Sequence, residues 1–209
     1  MKLAHVLALC CACLGAPLGL ALAQPRGDLD ALVRALGSED DALRAPAIEE
    51  LAKEGKKAGE RLLAEFGNKT ASERTLTGVI EVLGKMNKTG VQLLEEQILR
   101  PIDAGSIEPI TGALRAVGIC GPPATWAAPS LVKLIERKPL KAYLQVYLLV
   151  KDTAILTLGR LGPTTPAAKA LLKREVKSDE LCTRVASACS LWWTGSAPEE
   201  VYPDRKSVV

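Results

Sequence analysis

Hydrophobic residues recur every three or four positions along most of the chain, which is the spacing of one face of an α-helix. In the stretch VKDTAILTLG, the residues Val150, Ala154, Ile155 and Leu158 fall on one helical face, and polar residues lie between them. The same pattern predicts ten helices, near 28–37, 40–54, 57–67, 71–85, 89–99, 106–118, 126–138, 142–160, 166–176 and 179–194. The sequence therefore predicts an all-α protein.

The stretch LGRLGPTTPAAK interrupts this pattern in a way that is typical of a corner between two antiparallel helices. Gly159 and Gly162 are both candidates for the left-handed conformation that ends helices. Pro163 prevents the first helix from continuing. Thr165 can then cap the next helix, and Pro166 suits its first turn, where no amide partner is needed.

Helix, glycine corner and helix recur along the chain. Alignment of these corners gives steps of 32, 34, 41 and 33 residues between Ala52, Gly84, Gly118, Gly159 and Trp192. The long step contains the segment RKPLKAYLQVYLLV, which has the character of an insertion. A period in this range with paired helices predicts a helical solenoid.

One repeat carries a family resemblance. It resembles the HEAT-like repeat in the block Val150-Lys151-x-x-Ala154-Ile155-x-x-Leu158-Gly159-x-Leu161-Gly162-Pro163, and partial matches begin at Arg44 and Arg184. The resemblance covers about 28–195 and implies a right-handed α-solenoid of about four and a half helix pairs. Stacked repeats build extended surfaces that bind other molecules. The resemblance thus implies a protein-binding scaffold.

The two ends of the chain differ from the repeats. Residues 1–23 combine Lys2, an apolar run and the motif Ala21-Leu22-Ala23, which predict a secretory signal peptide cleaved after Ala23. An uncleaved membrane anchor is the alternative, because the run approaches the length that spans a bilayer. We expect an exported, periplasmic or extracellular protein, with a short linker at 24–27, the repeat domain at 28–195 and a disordered tail at 196–209. Docking of the tail over the last helix is the alternative to disorder, because an end repeat needs cover.

The residues available for catalysis are few. His5, the only histidine, lies in the predicted leader, so nucleophilic catalysis by a Ser-His or Cys-His pair is not expected in the mature chain. The neighbouring carboxylates Glu49-Glu50 and Glu95-Glu96 diverge around a helix and favour a solvated surface. We predict no catalytic, cofactor or metal site, and interpret the chain as a non-enzymatic scaffold of the cell envelope. The alternative is an envelope enzyme that uses carboxylate or Ser-Lys chemistry.

Three cysteines remain beyond the leader, Cys120, Cys182 and Cys189, and an odd number of thiols is not a disulfide framework. We expect them to fill space in the core. Seven residues of helix separate the Cα atoms of Cys182 and Cys189 by about 10.5 Å, so we predict no bond between them. Trp192 and Trp193 are adjacent, so at least one must point away from the core and could mark a docking point.

Positive charge is concentrated between Lys133 and Lys177, where ten basic residues stand against three acidic ones. The candidate partner-binding residues on the second helices of two repeats are Lys133, Arg137, Lys169, Lys173, Arg174 and Lys177. For an exported protein, the expected partner is an acidic protein, a glycan or a lipid headgroup, and a protein is favoured. Nucleic acid is not expected outside the cytosol, and membrane contact is expected only if the leader is retained. The alternative interpretation is that these basic residues form a solvated surface that binds no partner.

Overall fold

In a computed structural model of the protein, the structure describes residues 28–102, 107–138, 141–162 and 165–201. All regular structure in these ranges is helical, which confirms the all-α prediction. The α-helices are α1 (Leu29–Leu36), α2 (Asp41–Lys53), α3 (Lys56–Leu63), α4 (Glu73–Lys85), α5 (Lys88–Ile98), α6 (Ile107–Cys120), α7 (Ala128–Glu136), α8 (Leu144–Arg160), α9 (Pro166–Glu175), α10 (Leu181–Trp193) and α11 (Pro198–Val201). Short 3₁₀ segments at Ala64–Gly67, Pro122–Ala127 and Lys141–Tyr143 flank α3, α7 and α8.

The helices form two layers. The first helices of successive pairs, α2, α4, α6, α8 and α10, pack on one another in chain order, and so do the second helices α3, α5, α7 and α9. The short helix α1 covers α2 at the start of the stack. This arrangement is that of stacked helix pairs. The right-handed sense of the stack stays a prediction.

A continuous apolar core lies between the two layers. In the block that resembles a HEAT-like repeat, Val150, Ala154, Ile155, Leu158 and Leu161 are all completely buried. Their spacing places them on one helical stripe, and that stripe is the face that α8 turns toward its neighbours. Aliphatic side chains and alanine make up most of this core, which allows the helices to pack closely.

The corner between α8 and α9 follows the sequence prediction at three of the four positions that the structure describes, and Pro163 lies outside the described residues. Gly162 adopts a positive φ of 84°. Thr165 is the N-cap of α9, where its hydroxyl accepts a hydrogen bond from the amide of Ala168 at 3.3 Å, and Pro166 is the first residue of the helix. The prediction is wrong for Gly159, which lies inside α8. A Cβ at that position would be 2.6 Å from the Cα of Ser190, so Gly159 permits the close approach of α8 and α10.

The segment 196–201 differs from the disordered tail expected from its charges and prolines. Pro198–Val201 form the helical turn α11, and Val201 is 1% exposed. This turn packs against α10, and Glu200 forms ion pairs with α9. It occupies the place of a second helix in the fifth pair. The burial of Val201 and these ion pairs hold the segment in place. The docked alternative placed the tail over the exposed face of α10, and among the described residues Leu181, Val185 and Trp192 on that face stay exposed.

The predicted leader and linker, residues 1–27, lie outside the described residues, and so do residues 202–209. Among the helices that the structure does describe, none is both long and apolar enough to cross a membrane.

Candidate functional site

The six candidate basic residues lie on or beside α7 and α9, as predicted, and most of them contact acidic groups of the same chain. Lys133 Nζ is 2.7 Å from Glu95 Oε1, and Ser130 Oγ donates to the same carboxylate oxygen at 3.1 Å. Glu95 belongs to α5, in the preceding repeat. Lys133 therefore links two repeats through an ion pair.

Arg137 binds backbone oxygens instead of a carboxylate. Its Nη1 donates to the carbonyl oxygens of Leu99, at 2.9 Å, and Arg100, at 2.8 Å. These carbonyls follow α5, where the last turn of a helix leaves acceptors without partners. Arg137 thus caps the end of a helix in the preceding repeat and also joins two repeats.

Lys169 and Lys173 share one acidic partner. Their Nζ atoms lie 3.0 Å and 2.7 Å from the two carboxylate oxygens of Glu200 in α11. Hydrogen bonds from Lys173 and then Lys169 lower the pKa of Glu200 to about 2. The two lysines therefore help to hold the last helical turn against α9.

Arg174 lies in a small charged cluster at the boundary between α7 and α9. It contacts Glu136 at 3.4 Å and Glu175 at 3.1 Å. Glu175 also binds Lys151 of α8 at 2.7 Å, and both side chains of this second pair are mostly buried. Lys177, after the end of α9, is exposed, and we find no ion pair for it among the described residues.

Ion pairs between successive repeats are found along the whole stack. Further examples are Asp41–Arg74, Arg44–Glu81, Glu49–Lys85 and Glu73–Arg115, with distances between 2.6 and 3.1 Å. Acidic residues on one repeat therefore neutralise basic residues on the next. Two acids outside residues 133–177 offset part of the positive charge in that segment: Glu95 pairs with Lys133, and Glu200 pairs with Lys169 and Lys173. Binding of an acidic partner by the six residues stays a prediction.

Of the adjacent carboxylates considered for acid–base chemistry, Glu49 and Glu95 take part in these ion pairs. Glu49 binds Lys85 at 2.8 Å, and this hydrogen bond lowers the pKa of the Glu49 carboxyl. A general acid at neutral pH requires a pKa shifted in the opposite direction. Within the described ranges, no three acidic or cysteine side chains form a group that could hold a metal ion.

An open cavity of about 670 Å³ lies beside Trp126 and Cys120. Burial raises the pKa of the Cys120 thiol, which disfavours the nucleophilic thiolate. Trp126 is half-buried and packs over Gly84, where an added Cβ would be 2.8 Å from Nε1 of the indole. Trp126, in the 3₁₀ segment Pro122–Ala127, thus packs against α4.

The three described cysteines are free, and Cys182 and Cys189 lie on the continuous helix α10. The prediction that these two do not bond to each other is confirmed. The expectation that all three fill the core is wrong for Cys182, which is exposed because it lies on the side of α10 away from the core.

Exposed apolar side chains are concentrated at the C-terminal end of the stack. Eight large hydrophobic residues are exposed in the described part, and seven of them belong to the last two repeats: Tyr143, Leu144, Leu149, Leu181, Val185, Trp192 and Trp193. Leu43 is the eighth. The concentration is notable because contiguous exposed apolar surface marks sites of interaction.

One part of this apolar surface spans α8 and α10, and we call it the outer face. It contains Leu149, which is 56% exposed, and Trp193, which is 48% exposed. The guanidinium of Arg160 lies 5.9 Å from the centre of the Trp193 ring, within the range of a cation–π contact. An apolar side chain, an indole and an arginine thus lie on the same side of two neighbouring helices.

Sequence reasoning anticipated the exposure of Trp192 or Trp193 but not the outer face. Leu149 and Arg160 were missed. A signal was present in the run LQVYLLV, which is apolar on more sides of α8 than one buried stripe requires.

No protein-family model matches the chain, and no curated protein matches it. The resemblance to HEAT-like repeats therefore stays a prediction from the residues quoted above.

Proposed function

We propose that the chain is a non-enzymatic, protein-binding scaffold of HEAT-like repeats in the cell envelope, and that it binds its partner through the outer face. The observation that carries the proposal is the position of Leu149, Trp193 and Arg160 on that face. Stacked helix pairs commonly work through extended surfaces. Tryptophan and arginine are also the residues most enriched among those that dominate binding energy.

The chemistry of the outer face favours a particular kind of partner. Trp193 would contact an apolar side chain, while the exposed guanidinium of Arg160 beside it would pair with a carboxylate. Leu149, about 16 Å away along α8, would contact a second apolar side chain. The partner expected here is a protein that presents an apolar residue next to an acidic one. This agrees with an acidic partner but assigns its recognition to the first helices instead of α7 and α9.

Affinity capture from the native envelope, with mass spectrometry of the bound proteins, tests this proposal. We expect specific partners to be captured by the wild-type chain and lost with Leu149→Glu and with Trp193→Ala. Leu43→Glu is the matched control, because Leu43 is 44% exposed on α2 at the other end of the stack. All three variants change exposed side chains and should fold.

The charge reversals Arg137→Glu, Lys173→Glu and Arg174→Glu provide a further arm. If the outer face binds the partner, their single variants retain capture once folding is verified by circular dichroism. Capture that survives both Leu149→Glu and Trp193→Ala, yet is lost in folded charge-reversal variants, would refute the outer face and favour the basic residues.

A further inference from the structure

The helix α10, which is the first helix of the fifth pair, has an apolar stripe on the side opposite its buried face. Leu181, Val185 and Trp192 are 63%, 54% and 60% exposed, and the partly buried Ala188 lies between them on the same line. The buried residues of α10 are Thr183, Ala186, Ser187, Ser190 and Leu191. At about 100° per residue, the two sets lie on opposite sides of the helix. We call Leu181, Val185, Ala188 and Trp192 the end stripe.

The end stripe lies on the side of α10 where the first helix of a further repeat would pack. Thr183 hydrogen-bonds to Asp152 and Ser190 to the carbonyl oxygen of Ile155, so the buried side of α10 faces α8. On α8 itself, α6 covers the side away from α10. In the described part of the chain, α10 has contacts with α8, α9 and α11 but with no further first helix. Terminal repeats need a polar outer face for solubility, and this one is apolar.

We propose that a second copy of this chain covers the end stripe, so that two α10 helices pack antiparallel about a twofold axis. The four residues of the stripe are spaced by 4, 3 and 4 positions. That spacing is the apolar seam of helices that pack side by side. The order of these spacings is the same in both directions along the helix. An antiparallel copy therefore places Leu181 against Trp192 of the second copy and Val185 against Ala188. Each contact then pairs a larger side chain with a smaller one, Trp192 with Leu181 and Val185 with Ala188.

The charges at the two ends of α10 favour the same orientation. Asp179 and Glu180 are exposed just before the helix, where Arg184 donates to the carbonyl oxygens of Ser178 and Asp179, and Arg160 is exposed beside Trp193 at the other end. Antiparallel packing brings Asp179 and Glu180 of one copy next to Arg160 of the other. Complementary charges at the rim of an interface fix its orientation more than its affinity.

The opposite end of the stack does not offer a matching surface. At that end α1 covers α2, and the exposed residues of α1 include Asp30 and Arg34. Stacking of α10 on α1 of the next copy would therefore set tryptophan and leucine against charged groups. A closed, twofold pair is favoured over an open chain of copies.

Sedimentation velocity of the purified protein, under reducing conditions that keep Cys182 and Cys189 free, tests the proposal without any partner protein. We expect a concentration-dependent dimer. Leu181→Glu and Trp192→Lys should each raise the dissociation constant by at least about tenfold, while Leu43→Glu leaves it unchanged. A wild-type chain that stays monomeric would overturn the proposal, and this result would also be found if a different molecule covers the end stripe. An equal rise in the dissociation constant with Leu43→Glu would overturn it as well.

Mixing the two variants tests the register. In a mixed dimer, the glutamate introduced at position 181 of one copy would face the lysine introduced at position 192 of the other, and the second contact would keep its native leucine and tryptophan. We expect the mixture of Leu181→Glu with Trp192→Lys to form dimers that neither variant forms alone. Rescue by a mixture of Leu181→Glu with Leu181→Lys instead would indicate parallel helices and overturn the antiparallel arrangement. The proposed function is tested separately by Leu149→Glu, which lies outside the end stripe and eleven residues from Arg160. Trp193→Ala is used in the capture experiment alone, because it removes the ring that Arg160 contacts.

Discussion

Replacement of Gly159 by alanine should destabilise the protein although alanine is the better helix former. The added Cβ would lie 2.6 Å from the Cα of Ser190 and 2.7 Å from its Cβ and Oγ. Because one of these atoms is backbone, α8 and α10 must move apart to make room. The hydroxyl of Ser190, which donates to the carbonyl oxygen of Ile155 at 2.8 Å, would be displaced as well.

Two opposing effects set the magnitude for Gly159→Ala. Higher helix propensity contributes about 1 kcal/mol in favour of alanine. Overpacking a well-filled core costs about 1–3 kcal/mol, and disturbance of a buried hydrogen bond costs about 1 kcal/mol more. The expected result is a net loss of about 1–3 kcal/mol in the free energy of unfolding, with Tm falling by about 2–4 °C for each kcal/mol.

Gly118→Ala is the matched control, because Gly118 occupies the aligned position in the preceding repeat. An added Cβ there would have its nearest contact at 3.5 Å, with Cδ of Arg160, which is ordinary van der Waals packing. We expect this variant to be neutral or stabilised by up to about 1 kcal/mol. Urea titration followed by circular dichroism measures both changes. If Gly159→Ala stabilises the protein as much as Gly118→Ala does, close packing of α8 on α10 is refuted.

Three further predictions concern charged and buried polar groups. Lys151→Met should lower the free energy of unfolding by about 2 kcal/mol, because the mostly buried Glu175 then keeps only Arg174 as its ion-pair partner. An unchanged midpoint of urea unfolding would contradict this. Glu200 should titrate near pH 2 by NMR, and Lys173→Gln should raise that midpoint toward the ordinary value of 4.5. Because the folded pKa is lowered, this contact stabilises the fold above about pH 4.5 and loses its effect as the pH falls toward 2; a wild-type midpoint near 4.5 would argue against the contact. Burial raises the pKa of Tyr147 to about 12. The neutral phenol therefore stabilises the fold below about pH 10, and this contribution is lost as the pH rises toward 12. Tyr147→Phe should remove the tyrosinate absorbance change near pH 12, and persistence of that change would assign it to another tyrosine.

The local features of this fold could be predicted because they depend on residues close together in the chain. The apolar stripe of α8 follows from the spacing of Val150, Ala154 and Leu158, and all three are buried. The corner after α8 follows from Gly162 and Thr165, whose conformation and capping involve neighbours within a few positions. Helix periodicity and capping are short-range properties, so the sequence by itself determined an all-α chain of paired helices.

The surface was decided by the tertiary structure. Lys133 lies in a segment rich in basic residues, yet its carboxylate partner Glu95 is 38 positions away on the preceding repeat. Gly159 was placed in a turn, and only the approach of Ser190 from α10 shows why a side chain is excluded there. Charge neutralisation and close packing act between helices that are distant in the chain. A count of charges or glycines within one segment does not contain the positions of those neighbours, so only the packed helices show which side chains remain exposed.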